Sequence, residues 1–266
     1  MQRKTIESTL SDTLLTSPSS AHFDYTPTAM MPDVKVIKIG GQSILDRGKA
    51  AVFPVLDELV QAKDQYKLLL CCGGGTRARH IYSVAADLEL PTGVLAALGG
   101  YVPRQNARMV QMLLAKHGGI YIMNDDFEKL PLYFRLGCIP IMTGMPPFGY
   151  WEKAGENGRI PANRTDAGVF LTAEVLGAKR AIFIKDEDGL YETDPKKNPQ
   201  AKHIPRIGVD ELIERNLDDL IVERVVLEYL KNARFCTELQ IVNGMKPGQI
   251  TAALAGEDVG TLIVRE

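Results

Sequence analysis

The chain has 266 residues, enough for one large α/β domain or two small ones. Its 31 Lys and Arg against 33 Asp and Glu give a formal net charge of −2, which excludes a global field drawing it to a nucleic-acid backbone or an anionic membrane. Hydrophobic content of 45% and charged content of 24% exclude disorder for most of the chain, and no run reaches the ~18 uncharged apolar residues of a membrane span.

Residues 1–31 stand apart. They are rich in Ser and Thr, carry two prolines and show no sustained period. They read as an N-terminal arm with a short helix over Ile6 to Leu15, either a free tail or a segment docking on a neighbouring subunit. There is no charged start followed by an apolar core, so no secretory signal is expected. Residues 32–266 read as one domain.

From Val34 strands and helices alternate. The run Val34 to Ile39 is β-rich and ends in Gly40-Gly41. A helix over Lys49 to Lys63 follows, with Val52, Val55, Leu56, Leu59 and Val60 at helical spacing. Pro54 is tolerable there only near the helix start. Strand Lys67 to Cys72 runs into Gly73-Gly74-Gly75, then a helix over Thr76 to Leu88, a helix over Arg104 to His117 and strand Ile120 to Met123. Strand Cys138 to Met142 leads into an irregular stretch, Thr143 to Thr165, with three prolines and four glycines. A loop of that length inside a domain is usually functional or an interface. Asp166 then reads as the cap of a helix reaching Leu176. Strand Arg180 to Lys185, a helix over Val222 to Ala233, strand Glu238 to Val242, a short helix near Gln249 to Leu254 and strand Thr261 to Val264 close the chain.

About seven apolar strands separated by helices imply a mostly parallel sheet covered on both faces. Right-handed crossovers would place all strand C-termini on one edge, where ligands bind in open α/β sheets. Cys71, Cys72, Cys138 and Cys236 have no zinc-ligand spacing and read as free thiols in a reducing cytosol. The four histidines, His22, His80, His117 and His203, form no pair at metal spacing.

Three motifs fall at strand C-termini: Lys38-Ile-Gly-Gly41, Gly73-Gly-Gly75 and Lys185-Asp-Glu-Asp-Gly189. Glycines between a strand and a helix present backbone N–H groups without side-chain obstruction, and the helix N-terminus behind them favours phosphate. Lys38 projects near that point and could neutralise transferring phosphoryl oxygens. One glycine pair alone is as consistent with a tight turn. No P-loop and no dinucleotide fingerprint with a ribose-binding acid is present.

The order K-x-G-G, G-G-G, T-D-A-G and D-x-D-G-L-Y-x-x-D-P resembles the amino acid kinase superfamily, nearest to bacterial uridylate kinases, over residues 34–266. Within it, Val36-Ile-Lys-Ile-Gly-Gly-Gln-Ser43, Asp46-Arg-Gly48, Thr76-Arg-Ala-Arg-His80, Gly144-Met-Pro-Pro147, Arg164-Thr-Asp-Ala-Gly168 and Val242-Asn-Gly244 look more like its molybdenum-storing members, specifically their ATP-binding β-type subunits. The resemblance implies a three-layer αβα sandwich with a mainly parallel sheet of about eight strands.

It also implies roles. Lys38, Asp166 and Lys185 would be catalytic, with Asp166 orienting lysines around the phosphates, although a helix cap alone would also explain an aspartate there. Gly40, Gly41, Gly73, Gly74, Gly75, Asp186, Asp188, Gly189, Tyr191, Asp194 and Pro195 would bind the nucleotide. Glu187 would be a Mg²⁺ ligand or a solvated loop charge. Lys196 and Lys197 would reach the nucleotide or simply face water. Arg77 and Arg79 would hold phosphate or oxoanion, or be solvent-facing helix charges.

The sequence departs from that pattern in two places. Uridylate kinases carry a lysine where Asp186 stands, and Lys185 lies one residue earlier, which in a strand flips a side chain to the other face. The α-type storage subunits carry histidines in the long loop, whereas Phe148-Gly-Tyr-Trp-Glu-Lys-Ala154 has none. Three readings follow. The first is an ATP- and Mg²⁺-binding storage subunit that deposits molybdate or tungstate as polyoxometalate clusters. It would sit in a cytoplasmic homo- or hetero-hexamer, a trimer of dimers, with or without an α-like partner. The second is a small-molecule kinase such as a uridylate kinase. The third is a non-catalytic nucleotide-binding partner.

Overall fold

The structure, a computed structural model, describes residues 27–155 and 159–266. The expected helix over Ile6 to Leu15 and His22 lie outside the described residues. Of the expected arm, residues 27–31 are described: Met31 N–H donates to the Leu176 carbonyl at 2.7 Å, and the Met31 side chain packs on the core.

The elements in chain order are β1 (Val34–Ile39), α1 (Lys49–Ala62), β2 (Lys67–Cys72), α2 (Gly75–Asp87), α3 (Thr92–Leu113), β3 (Gly119–Tyr121), α4 (Leu130–Arg135), β4 (Ile139–Thr143), α5 (Thr165–Leu176), β5 (Arg180–Lys185), β6 (Leu190–Tyr191), β7 (His203–Ile204), β8 (Arg206–Gly208), α6 (Val209–Arg215), α7 (Val225–Asn232), β9 (Glu238–Asn243), α8 (Gln249–Ala255) and β10 (Thr261–Val264). Eight strands form one sheet in the order β3-β4-β2-β1-β5-β9-β10-β8, and β6 and β7 make a separate ribbon.

Strand alternation sorts the core into two layers. On β1, Ile37 and Ile39 face a cluster built with α1, α8 and the second half of α3. Val36 faces the opposite cluster, built with α5 and α7, and Lys38, two residues along, shares that face. The same parity on β5 puts Phe183 and Lys185 on the α5 side and Ile182 and Ile184 on the other. These layers form the three-layer αβα sandwich expected from the sequence.

Within the eight-stranded sheet neighbouring strands pair in parallel except β9 and β10, which are antiparallel. β10 and its parallel partner β8 therefore end at the opposite edge, so the strand C-termini do not all share one. The helix expected from Arg104 begins at Thr92. Gly93, Gly99 and Gly100 weaken its signal, yet Gly99 is needed: a Cβ there would lie 2.3 Å from the Tyr82 ring. Pro54 is the sixth residue of α1, past the start expected for it, on an exposed face where water reaches the carbonyl it leaves unbonded. The long loop carries a 3-10 turn, Gly149–Trp151, and is tied back by Asn163, whose side-chain amide donates to Glu152 at 2.9 Å while Tyr229 donates to its oxygen. The four cysteines are free thiols; Cys71, Cys72 and Cys236 are buried, and burial pushes the Cys71 thiol up to about 12.

Candidate functional site

A cleft of about 760 Å³ opens at the C-terminal ends of β1, β2 and β5. At its inner end Lys38 is buried, its ammonium 5.4 Å from the centre of the Phe183 ring and ion-paired with Asp166. The Lys185 ammonium lies 3.5 Å from the same carboxylate oxygen and donates to the Ile221 carbonyl at 2.8 Å. Strand parity explains the convergence. Lys38 and Lys185 end adjacent strands on the face that α5 covers, and Asp166 is the second residue of α5. The one-residue offset of Lys185, expected from the sequence to flip its side chain to the other face, instead leaves it on the site face, because Lys38 is in register with Phe183 and Lys185 lies two residues beyond. Asp186, past the strand end, turns outward instead.

Burial alone would raise the Asp166 carboxyl, but Lys185, Lys38 and the Glu223 amide outweigh it and hold it well below the usual carboxylate range. Burial lowers the Lys185 ammonium from 10.5, opposed in part by Asp166. Burial, then the charge of Asp166, raises the Glu223 carboxyl. The site is thus an orienting anion between two cations.

Asp166 does not cap its helix, contrary to the expectation from its position. The cap residue, Arg164, makes no side-chain cap bond. The first-turn amides instead donate to Glu223: Arg164 N–H and Ala167 N–H to one oxygen and Asp166 N–H to the other, each at 3.0 Å. This frees the Asp166 carboxylate for Lys38 and for the Glu223 N–H, which donates to it at 3.0 Å.

The glycine loops pack backbone to backbone. A Cβ on Gly41 would lie 2.2 Å from the Gly75 nitrogen, and one on Gly73 2.6 Å from the Gly41 nitrogen. Gly75 also sits at φ +73°, a region that favours glycine. Gly40, Gly41, Gly74 and Gly75 line the cleft; Gly73 lies behind it, its carbonyl accepting from buried Asn106 at 2.6 Å. The N-terminus of α2, expected to be open to phosphate, already carries the Asp46 carboxylate on the Thr76 N–H at 2.5 Å.

At the mouth, Asp186 accepts from Arg47 at 2.8 Å and from Lys196 at 3.0 Å, and Lys196 also pairs with Glu187 at 3.1 Å. Gly189, Tyr191, Asp194 and Pro195 line this wall, with Tyr191 tilted against His203 at 5.2 Å. Arg79 lines the cleft beside Tyr82. Arg77 does not: it is drawn to Gln105 and Asn106 beneath the glycine loop. Asp188 does not either, since it bonds Lys246 at 2.7 Å and Asn243 at 2.9 Å, tying the loop to the end of β9. Lys197 reaches Asp219 at 3.1 Å. Sequence reasoning missed Glu223, Arg47 and Arg164. Arg47 and Arg164 had a local signal, their places in Asp46-Arg-Gly48 and Arg164-Thr-Asp-Ala-Gly168, but were given no role; Glu223 had none.

No cluster of three or more His, Cys, Asp or Glu able to hold a metal exists among the described residues. Asp186 and Glu187 are two adjacent carboxylates in the cleft already bridged by a cationic side chain. That donor set fits Mg²⁺, which takes one or two carboxylates and completes its shell with phosphate oxygens and water. No described helix is long and apolar enough to cross a membrane.

The family model described as the amino acid kinase family matches residues 33–243. Molybdenum storage protein subunit beta of Azotobacter vinelandii is 48% identical over 258 residues, 97% of this chain and 94% of that protein. Uridylate kinase of Thermococcus kodakarensis is 26% identical over 86% of this chain and 98% of its own length. Among solved structures, UMP kinase from Bacillus anthracis superposes with a TM-score of 0.67 at 18% identity, covering 88% of this chain and 96% of that one.

Proposed function

This chain belongs to the amino acid kinase family, and from that premise we propose that it is an ATP-binding subunit of a molybdenum (or tungsten) storage assembly. The observation that carries the storage role is the 48% identity, over almost the whole of both chains, to a protein named as a molybdenum storage subunit. The geometry supports the nucleotide half of the reading: a cleft with bare backbone at two glycine loops, one buried and one largely covered lysine at its inner end and two carboxylates at its mouth.

In this reading the ATP phosphates lie along Gly40, Gly41, Gly74 and Gly75. Lys38 and Lys185 face the terminal phosphoryl group and neutralise charge spread over its oxygens. Asp166 is too acidic to be a useful base and holds both ammonium groups in place. Water attacks the terminal phosphorus, the bond to the bridging oxygen breaks, and ADP, phosphate and a proton leave. Asp186 and Glu187 would hold a Mg²⁺ ion, which supplies further neutralisation of the phosphates when bound.

Hydrolysis would drive uptake of molybdate and its condensation into polyoxometalate clusters. A formal net charge of −2 requires that the oxoanion be held locally, and Arg79 and Arg164 are cations in the cleft with no lysine's role. Storage needs a cage of several subunits, a hexamer built as a trimer of dimers, with or without an α-like partner.

ATP turnover with and without molybdate, and conversion of UMP to UDP, test the reading. The expected result is ATP hydrolysis stimulated by molybdate with no UDP formed. UDP formation indifferent to molybdate would establish the uridylate kinase reading that the 26% identical relatives favour.

A further inference from the structure

We infer that Glu223 is a positioning residue for ATP turnover, pinning the Lys38–Asp166 pair through a reciprocal clamp on the first turn of α5. The inference rests on the proposed hydrolysis, because it assigns Glu223 a part in that reaction.

The first amides of a helix have no partner within it and need an acceptor. A residue at the cap position usually supplies one. Here the acceptor comes from 57 residues away, and both carboxylate oxygens of Glu223 are used. In return the Glu223 N–H holds one oxygen of Asp166 while Lys38 holds the other. The Asp166 carboxylate is therefore fixed in rotation as well as in position. Two residues back, the Ile221 carbonyl accepts from Lys185. The segment Ile221–Glu223 thus touches the orienting acid and one of the lysines it orients.

An ordinary cap would not require this arrangement. A Ser, Thr or Asn at position 164 could accept from the Asp166 or Ala167 N–H without burying a second carboxylate beside Asp166, which carries a desolvation cost. The cost is offset by Lys38, Lys185 and Arg164, whose Nε lies 3.7 Å from Glu223. Three cations against two carboxylates leave one net positive charge facing the space where phosphate would lie.

A double-mutant cycle tests the clamp with wild type, Glu223→Gln, Asp166→Asn and the double variant, each assayed for ATP hydrolysis in the full chain. Glu223→Gln keeps the side-chain size but loses the charge and one acceptor. The expected result is a kcat lower by about 30-fold, somewhat under the roughly 100-fold of a 1 Å misplacement, with KM for ATP within about threefold. In the Asp166→Asn background the same change should cost less than about twofold, because Glu223 acts through Asp166. A cap with only a structural role would lower the melting temperature, leave kcat of the folded fraction unchanged and add independently, which would overturn the inference. Should Glu223→Gln fail to fold, Glu223→Asp, with its carboxylate retracted by one methylene, replaces it under the same criteria. A crystal structure of the folded variant decides the clamp separately: Asp166 turned off Lys38 supports it, and an undisturbed pair overturns it. Wild type without ATP turnover would sink the hydrolysis reading, while that structure still judges the clamp.

Discussion

The two ends of the cleft use the same kinds of residue in different surroundings. At the inner end Lys38, Asp166 and Glu223 are buried and Lys185 is largely covered. At the mouth the cations are the exposed partners, Arg47 about half and Lys196 more than half, and they pair with the partly covered Asp186 and Glu187. Removing one partner of a buried pair costs about 3–5 kcal/mol because the other charge is stranded. An exposed pair is worth about 0.2–1 kcal/mol and weakens with salt. The inner end is therefore built to hold a geometry. The mouth is built to exchange partners, so under the proposed function nucleotide phosphates and a divalent ion would displace Lys196 and Arg47 at little cost.

Substitutions should separate the two ends by orders of magnitude. The largest effect is expected for Asp166→Asn. ATP turnover should fall at least about 100-fold while circular dichroism shows the fold retained, since the lysines lose their common anion. Turnover within tenfold of wild type would put the inner end on the same footing as the mouth. Gly41→Ala comes next. Its methyl would press on the Gly75 backbone, so the variant should lose about 1–3 kcal/mol in urea denaturation and bind ATP more weakly. Unchanged stability would show that the glycine loops can part.

The third test is pH. In the free protein burial lowers the Lys185 ammonium from 10.5, and bound phosphate would raise it again. Between the lowered value and that of the complex, ATP binding takes up a proton, so affinity falls as pH rises, by at most about tenfold per unit. Calorimetry in two buffers of different ionisation enthalpy reads the uptake. Release of a proton, or affinity independent of pH, would contradict the buried setting of Lys185. The smallest effect is expected for Lys196→Ala, whose stability should stay within about 0.5 kcal/mol of wild type and whose ATP affinity should change less than about threefold, the difference vanishing at high salt.

The inner end was more legible in the sequence than the clamp that holds it. Lys38, Gly40, Gly41, Gly74, Gly75 and Lys185 lie at the ends of apolar strands, so a local pattern placed them on one edge; the offset of Lys185 read as a flip to the other face, and only the register of β1 with β5 puts it on the face of Lys38. Glu223 had no such pattern, because its partners are the amides of a helix 57 residues earlier. Arg77 and Asp188 show the converse. Each sits in a motif, yet Asn106 draws one beneath the glycine loop and Lys246 with Asn243 draw the other toward β9. The first half of α3 was hidden because the glycine that lets Tyr82 pack against it is also a poor helix former. Position along an element could be read locally; side-chain partners supplied by distant segments could not.

The central proposal, storage driven by a nucleotide, is tested most directly by elemental analysis of the native assembly purified from molybdate-supplemented cells, with its mass measured on the same sample. The expected result is a multi-subunit particle carrying many Mo atoms per chain, reloading after depletion only when ATP is supplied. A particle that carries no Mo, or that fills equally well without ATP, would contradict it.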